Sequence, residues 1–378
     1  MTLLDQLKPH LSAGDRFRKQ AWEKLEKIGL PTKKWDAFRY LSLQGLYQSL
    51  YALDEGNVEL PDSGNVVLLS LEEAMRSYRP LLDKSFHEGI QEEKNPFALM
   101  NRAFHRGGRF LYVPPGTSAD FQWNFLALEE GKLYLPKFEI YVGKGADVRF
   151  DIRCGGEGSY FYNGQIQLTI DDGARAMVKL HTSHASEAYG MHTLRARVKR
   201  DATLKTFTNA MGGKGERHDI GVDLLGENGE ADVRGLSLAK RKDEIHHFIQ
   251  MKHHEPYCRS NQLYKTVLMG RARSSFEGKI FIKAKAQKTE AYQLNNLLLL
   301  SPKAQAMTKP NLEIFADDVQ ASHGATCSQP KQEELFYLRT RGLSEREAKW
   351  HLARGFCHEL MQGEVVDNFL EGEEDELF

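Results

Sequence analysis

Apolar positions recur in two rhythms along this chain. Over roughly 1–50, Phe17, Trp22, Leu25 and Ile28 return at helical steps among Lys, Arg and Glu, which predicts a helix. Gly29 and Pro31 stop it. Trp35, Phe38 and Tyr40 follow and read as an aromatic staple onto a neighbouring part of the protein. A second helical stretch is expected over 71–106, including Asn95 to His105, and Pro114-Pro115-Gly116 then closes a short strand from Arg109 to Val113.

From about 120 to 320 the period changes to two. Ile280, Ile282, Ala284 and Ala286 alternate with Lys279, Lys283 and Lys285, and Val178 and Leu180 alternate with Lys179 and His181. Small residues punctuate these runs at Gly145-Ala146, Gly173-Ala174, Asp201-Ala202 and Glu230-Ala231, so the alanines stand 28, 28 and 29 residues apart. Short strands at a fixed spacing, with no helix of a dozen residues between them, argue against βαβ crossovers; a sandwich or barrel could also give short strands, but the near-constant period favours a β-helix or solenoid. The period predicts Ala146, Ala174, Ala202 and Ala231 at equivalent corners.

Helical signals return at the end. Ser328 to Gly342 is expected as one helix with Pro330 at its start and Gly342 as its stop. Ser344-Glu345-Arg346-Glu347 fits a capping box opening a second helix. There Ala348, Leu352, Phe356 and Leu360 stack at i+4, a face that must bury against this chain or a partner. The acidic stretch Glu371–Glu376 reads as a solvated tail. The expected division is an N-terminal helical region, 1–108, a β-helix core, 109–325, and a C-terminal helical partner-binding region, 326–378.

Composition narrows the function more than the fold. With 378 residues the chain has room for two or three folding units. Its 51 Lys+Arg against 52 Asp+Glu argue against a nucleic-acid protein driven by phosphate attraction and against a polybasic membrane anchor. The densest apolar run, Leu297 to Leu300, is far shorter than a membrane span. The start, Met1-Thr2-Leu3-Leu4-Asp5, lacks the features of a secretory signal. Four cysteines without CxxC spacing suggest a reducing compartment and no zinc ribbon.

Candidate chemistry is sparse. Gly212-Gly213-Lys214-Gly215 and Gly278-Lys279-Ile280 both miss the phosphate-loop spacing, so the chain is not expected to hydrolyse ATP itself. His181 and His184, His246-His247 and His253-His254 sit at odd offsets, which send strand side chains to opposite faces, so they read as partly exposed histidines rather than ligands. Asp317, Asp318, Ser322 and His323 superficially suggest a hydrolase, but a Ser beside its His points away from it. His323 lies between small residues in Gln320-Ala321-Ser322-His323-Gly324-Ala325-Thr326. An accessible imidazole there can ligate iron or zinc, and on the residues alone both a structural and a ligand role stay open.

A series of longer motifs carries a resemblance. Gly270-Arg271-Ala272-Arg273, Phe276-Glu277-Gly278-Lys279, Ala286-Gln287-Lys288-Thr289-Glu290-Ala291 and Asn295-Asn296-Leu297-Leu298-Leu299 come first. Thr308-Lys309-Pro310-Asn311-Leu312-Glu313-Ile314, Ala316-Asp317-Asp318-Val319, Ser322-His323-Gly324-Ala325-Thr326 and Leu335 to Leu343 follow. In this order they resemble the SufB/SufD iron–sulfur assembly family, densely over 253–357 and more weakly at Leu30–Tyr40, Asn95–Ala103 and Tyr112–Gly116. The segment around His323 is more similar to SufD. SufB-like chains carry a Glu where Gly324 stands and an important cysteine in the β-helix core, and no such core cysteine is assigned here.

The resemblance implies a mainly β protein, a right-handed parallel β-helix flanked by N-terminal and C-terminal helical segments. It implies a non-catalytic, cytoplasmic scaffold that pairs with a SufB-like subunit and docks a SufC-like ATPase. The docking residues would be Phe336, Tyr337, Arg339, Arg341, Gly342, Leu343, Ala348, Leu352 and Phe356. It implies no permanent cofactor, a transient iron–sulfur cluster at the heterodimer interface, and His323 as the contact to it. Many SufD-like chains have Cys where Ala321 stands. Cys327, four residues beyond His323, lies about 13 Å away if the chain is extended. In isolation the chain could form a homodimer; the rival readings are a homo-oligomeric β-solenoid structural protein with no cluster role and a β-helix polysaccharide hydrolase or lyase.

Overall fold

The computed structural model describes residues 2–11, 15–55, 57–59, 65–127 and 129–360; the acidic tail lies outside them. The period-two region forms a parallel β-solenoid of about eight turns, in which the chain alternates between two long sheets. One sheet stacks Lys137–Val142, Phe161–Ile170, Tyr189–Val198, Gly215–Leu224, Glu244–His253, Arg273–Ile282 and Gln305–Ile314. The other stacks Ser118–Ala127, Asp147–Gly156, Arg175–His184, Thr203–Met211, Glu230–Ala239, Arg259–Leu268, Thr289–Leu299 and Val319–Ser328. Residues in register therefore sit one coil apart in sequence.

The expected corners hold for three alanines. Arg175 pairs with both Asp147 and Thr203, so Ala146, Ala174 and Ala202 occupy the same corner. Each follows a residue in the left-handed region, Gly145 at φ 66°, Gly173 at 67° and Asp201 at 54°, which explains the small residues at that point. Ala231 is a correction. Glu230 pairs with Thr203, one residue short of the 28-residue period, so Ala231 falls inside its strand opposite Leu204.

Helices cover the outer faces. The helix Arg16–Ile28 is capped by Asp15, which accepts from the Phe17 and Arg18 amides, and ends at Gly29 with φ 74°. The helix Pro96–Phe104 starts on Asn95, whose side chain accepts from the Phe97 amide. Leu25, Phe97 and Phe104 bury against Leu133, Phe161, Tyr189 and Met191 of the first sheet. Asn101 donates to the carbonyls of Pro136 and Asn163 at 2.9 and 2.7 Å, locking helix to sheet. Phe38 acts as the expected staple, 5.8 Å from Phe97 and 4.1 Å under the Arg217 guanidinium.

The C-terminal helices start later than expected. Ser328 still belongs to the last strand, and the first helix is Gln332–Thr340, with Gly342 beyond it at φ 94°. Ser344 and Glu347 make the capping box of Glu345–His358. The face that sinks is Ala353, Cys357 and Leu360, flanked by Trp350 and Phe356. It covers Leu236, Leu238, Val267, Met269, Leu298 and Leu300 on the outside of the second sheet. The i+4 stripe expected to need a partner is thus largely satisfied by this chain, because that sheet face is itself apolar and must be covered. No helix among the described residues is long and apolar enough to cross a membrane.

Candidate functional site

The solenoid ends on an open coil. Gln305–Ile314 and Val319–Ser328 are the terminal strands of their sheets, and among the described residues no strand lies beyond either. His323 is on that last strand, exposed, in register with buried Gln293. Ala321, His323, Ala325 and Cys327 share the face that points along the solenoid interior, whereas Ser322 pairs with Tyr292 on the outer face. The strand runs extended from His323 to Cys327, so the four-residue offset stays at about 13 Å and the two cannot share one ion. Asp318 pairs with Lys288 in the turn before this strand. Ser322 and His323 point apart, and Asp317 and Asp318 lie in a bend rather than on the strand.

The residues of the C-terminal hairpin differ in accessibility. Phe336 and Tyr337 are 69% and 57% exposed, although both are large and apolar. Arg339 and Arg341 are exposed beside them, the Arg341 guanidinium 5.1 Å over the Tyr337 ring. Gly342 is exposed, and Leu343, Leu352 and Phe356 are half-buried. Ala348 is fully buried within the chain, so its side chain supports the helix from inside.

A second constellation lies inside the solenoid, and sequence reasoning missed it. His192, His218 and His247 occupy one register position on three successive coils. Their rings stack at 4.8 and 5.2 Å. All three are buried, and the expectation of partly exposed histidines is corrected for His184, His246, His247 and His253, which are buried, while His181 and His254 are half-buried as expected. Local offsets along one strand gave no sign of this. The coil period was the usable signal, since 192, 218 and 247 stand near one period apart.

Around this ladder the polar groups interlock. His184 Nε2 lies 2.9 Å from His192 Nε2, and Tyr160 Oη lies 2.8 Å from His184 Nδ1. His218 Nε2 is 2.7 Å from Glu216 Oε1, which also accepts from Thr182 Oγ1. His247 Nε2 is 2.8 Å from Ser237 Oγ. Burial holds the His184 imidazole below its ordinary value and those of His192 and His247 well below it, so these rings are neutral. A small cavity of about 40 Å³ beside His192, His218, Tyr162 and Thr208 has room for a single water.

Two cysteines also lie in the core, another correction. Cys154 and Cys258 are buried in the solenoid interior. Burial pushes their thiols up to about 12 and about 11, so neither is a ready thiolate. Cys154 Sγ instead sits 3.2 Å from Tyr162 Oη.

Residues 125–356, which span the ladder, the open coil and most of the terminal hairpin, match the family described as SUF system FeS cluster assembly, SufBD core domain. The chain belongs to the SufBD family. It is 25% identical over 371 residues to the iron–sulfur cluster assembly protein SufD of Escherichia coli, covering 91% of this chain and 87% of that protein. SufD is thus a member it resembles over nearly its whole length. It is 33% identical over 224 residues to a SufBD family protein of Mycobacterium bovis, covering 57% of this chain and 55% of that one. A SufBD family protein of Synechocystis is 30% identical over 204 residues, 53% of this chain and 45% of the other.

Proposed function

We propose that this SufBD-family chain is a non-catalytic scaffold subunit that pairs with a SufB-like subunit through its open terminal coil, in the cytoplasm. The observation that carries the reading is the exposed His323, flanked by small residues, on a terminal strand whose outer edge has no neighbour among the described residues. An imidazole presented at an edge can meet a cluster growing between two subunits, while the soft thiolates come mainly from the partner. Iron and sulfide are cargo in this reading, held transiently. With Ala321 where a thiol could stand and Cys327 out of reach, His323 is the strong ligand that this edge offers. The ATP work belongs to a SufC-like ATPase, since the chain has no phosphate loop. Exposed Phe336 and Tyr337, with Arg339 and Arg341, form the surface for it.

The test is iron and acid-labile sulfide content of the complex co-expressed anaerobically with its SufB-like and SufC-like partners. His323→Ala is expected to lower both while the complex still forms and its melting temperature is unchanged, since an exposed site of this kind costs under about 0.5 kcal/mol. Wild-type iron and sulfide in the mutant complex would reject the assignment.

A further inference from the structure

We infer that the solenoid interior holds a binding site for one divalent transition-metal ion, of the iron(II)–cobalt(II)–zinc(II) class, formed by His184, His192 and Glu216. The inference does not rest on the open-coil reading, and none of these residues takes part in it.

The three side chains come from three different strands, Arg175–His184, Tyr189–Val198 and Gly215–Leu224. One ligand atom from each lies within 4.8 Å of the others, with His184 Nε2 to His192 Nε2 at 2.9 Å and His192 Nε2 to Glu216 Oε1 at 3.8 Å. Ligands about 2.0–2.2 Å from a common ion stand roughly 3–3.5 Å apart, so the observed separations bracket what an ion needs. Two neutral imidazoles and one carboxylate suit iron, cobalt or zinc and do not suit calcium or magnesium, which take oxygen.

The surroundings have the form of a built site. Tyr160 holds the far nitrogen of His184, which directs Nε2 toward the centre. Thr182 and His218 hold Glu216 through Oε1. Glu216 is fully buried, yet among the described residues no donor meets its Oε2. A buried carboxylate oxygen without a donor is costly unless a cation offsets it. Glycine also makes the room: a Cβ at Gly190 would fall 2.5 Å from His184 Cδ2 and Nε2.

A cavity of about 220 Å³ adjoins the site at the corner, between His184, Gly212, Gly213 and Asp243. A Cβ on Gly213 would stand 3.8 Å from Glu216 Oε2, so the free oxygen lies just behind that wall. Lys240 and Arg241 share the rim with Asp243, so charge at the mouth does not select the ion and the ligand set must.

Cobalt(II) is the probe, added anaerobically to the full wild-type chain. Anomalous scattering from cobalt-soaked crystals should place one ion between His184, His192 and Glu216. In solution, cobalt(II) should bind with one-to-one stoichiometry, give visible d–d absorption and raise the melting temperature. Glu216→Gln should weaken binding at least about tenfold and abolish the visible bands, since a ligand is lost while size is kept. His351→Ala, which removes an exposed histidine of the terminal helix, should bind cobalt as the wild type does. Anomalous signal only at His323, at surface residues or nowhere overturns the inference, as does a folded Glu216→Gln chain that binds unchanged. If that variant does not fold, the wild-type anomalous map decides alone.

Discussion

At the scale of single residues, the buried histidines set the acid stability of the protein. His253 faces the interior with Nε2 2.8 Å from Ser260 Oγ, and burial lowers its imidazole from 6.5 to about 4. The unfolded chain takes up a proton near 6.5 that the folded one refuses until about 4. This group's stabilising share is therefore intact above pH 6.5 and is lost as pH falls through that window, to about 3 kcal/mol at the bottom. His253→Gln keeps a partner for Ser260 and removes the titration. The fall in melting temperature between pH 7 and pH 4.5 should be shallower in this variant than in the wild type, and parallel curves would contradict it. Of the titratable residues here, His323 was legible in sequence because its neighbours are small and contiguous. The ladder of His192, His218 and His247 was not, because its members are neighbours only across coils.

At the scale of elements, the terminal helix Glu345–His358 behaves as part of the solenoid wall. Ala353 is fully buried against the leucines of the second sheet, and Lys265, itself buried, donates to the Phe356 carbonyl at 2.8 Å. Ala353→Glu would force a charge and extra volume into that seam, costing about 1–3 kcal/mol from overpacking alone. Hydrogen exchange should then show lost protection over Glu345–His358 with the inner strands still protected. Truncating the hairpin would instead bare Leu236, Leu238, Val267 and Met269, so substitutions probe docking more cleanly. Phe336→Ala combined with Tyr337→Ala leaves that seam untouched. It is expected to weaken binding of a SufC-like ATPase at least about tenfold by calorimetry, with melting unchanged. The helix and its capping box were readable from Ser344 and Glu347, whereas the buried stripe was misjudged. Which helical face sinks depends on the sheet beneath it, and the sequence of the helix carries no record of that sheet's outer face.

At the scale of the whole molecule, the two ends of the solenoid differ. At the start, the short strands Val67–Ser70 and Asn57–Glu59 run antiparallel against Arg109–Val113 and Ser118–Ala127. The far end leaves the edges of two strands without a neighbour among the described residues, and such edges pair with another chain unless blocked. Ala325 is exposed on the last strand. A lysine there should act as a gatekeeper. Ala325→Lys is expected to reduce capture of a SufB-like subunit, and self-association of the isolated chain in light scattering, with folding stability changed by under about 0.5 kcal/mol. Unaltered association in both assays would place the interface elsewhere.

The repeat, the helices at both ends and the corner alanines at 146, 174 and 202 were determined by the sequence alone, because each follows from spacing within some thirty residues of chain. The shift at Ala231 came from one short coil, which breaks a count but not a register of hydrogen bonds. Only the tertiary structure decided that Cys154 and Cys258 are buried and that the terminal helix covers its own sheet. The same holds for the ladder of His192, His218 and His247, which meet inside. Winding turns a separation of one coil, near 28 residues, into the roughly 4.8 Å between neighbouring strands, so side chains unrelated along the sequence become the nearest neighbours of all.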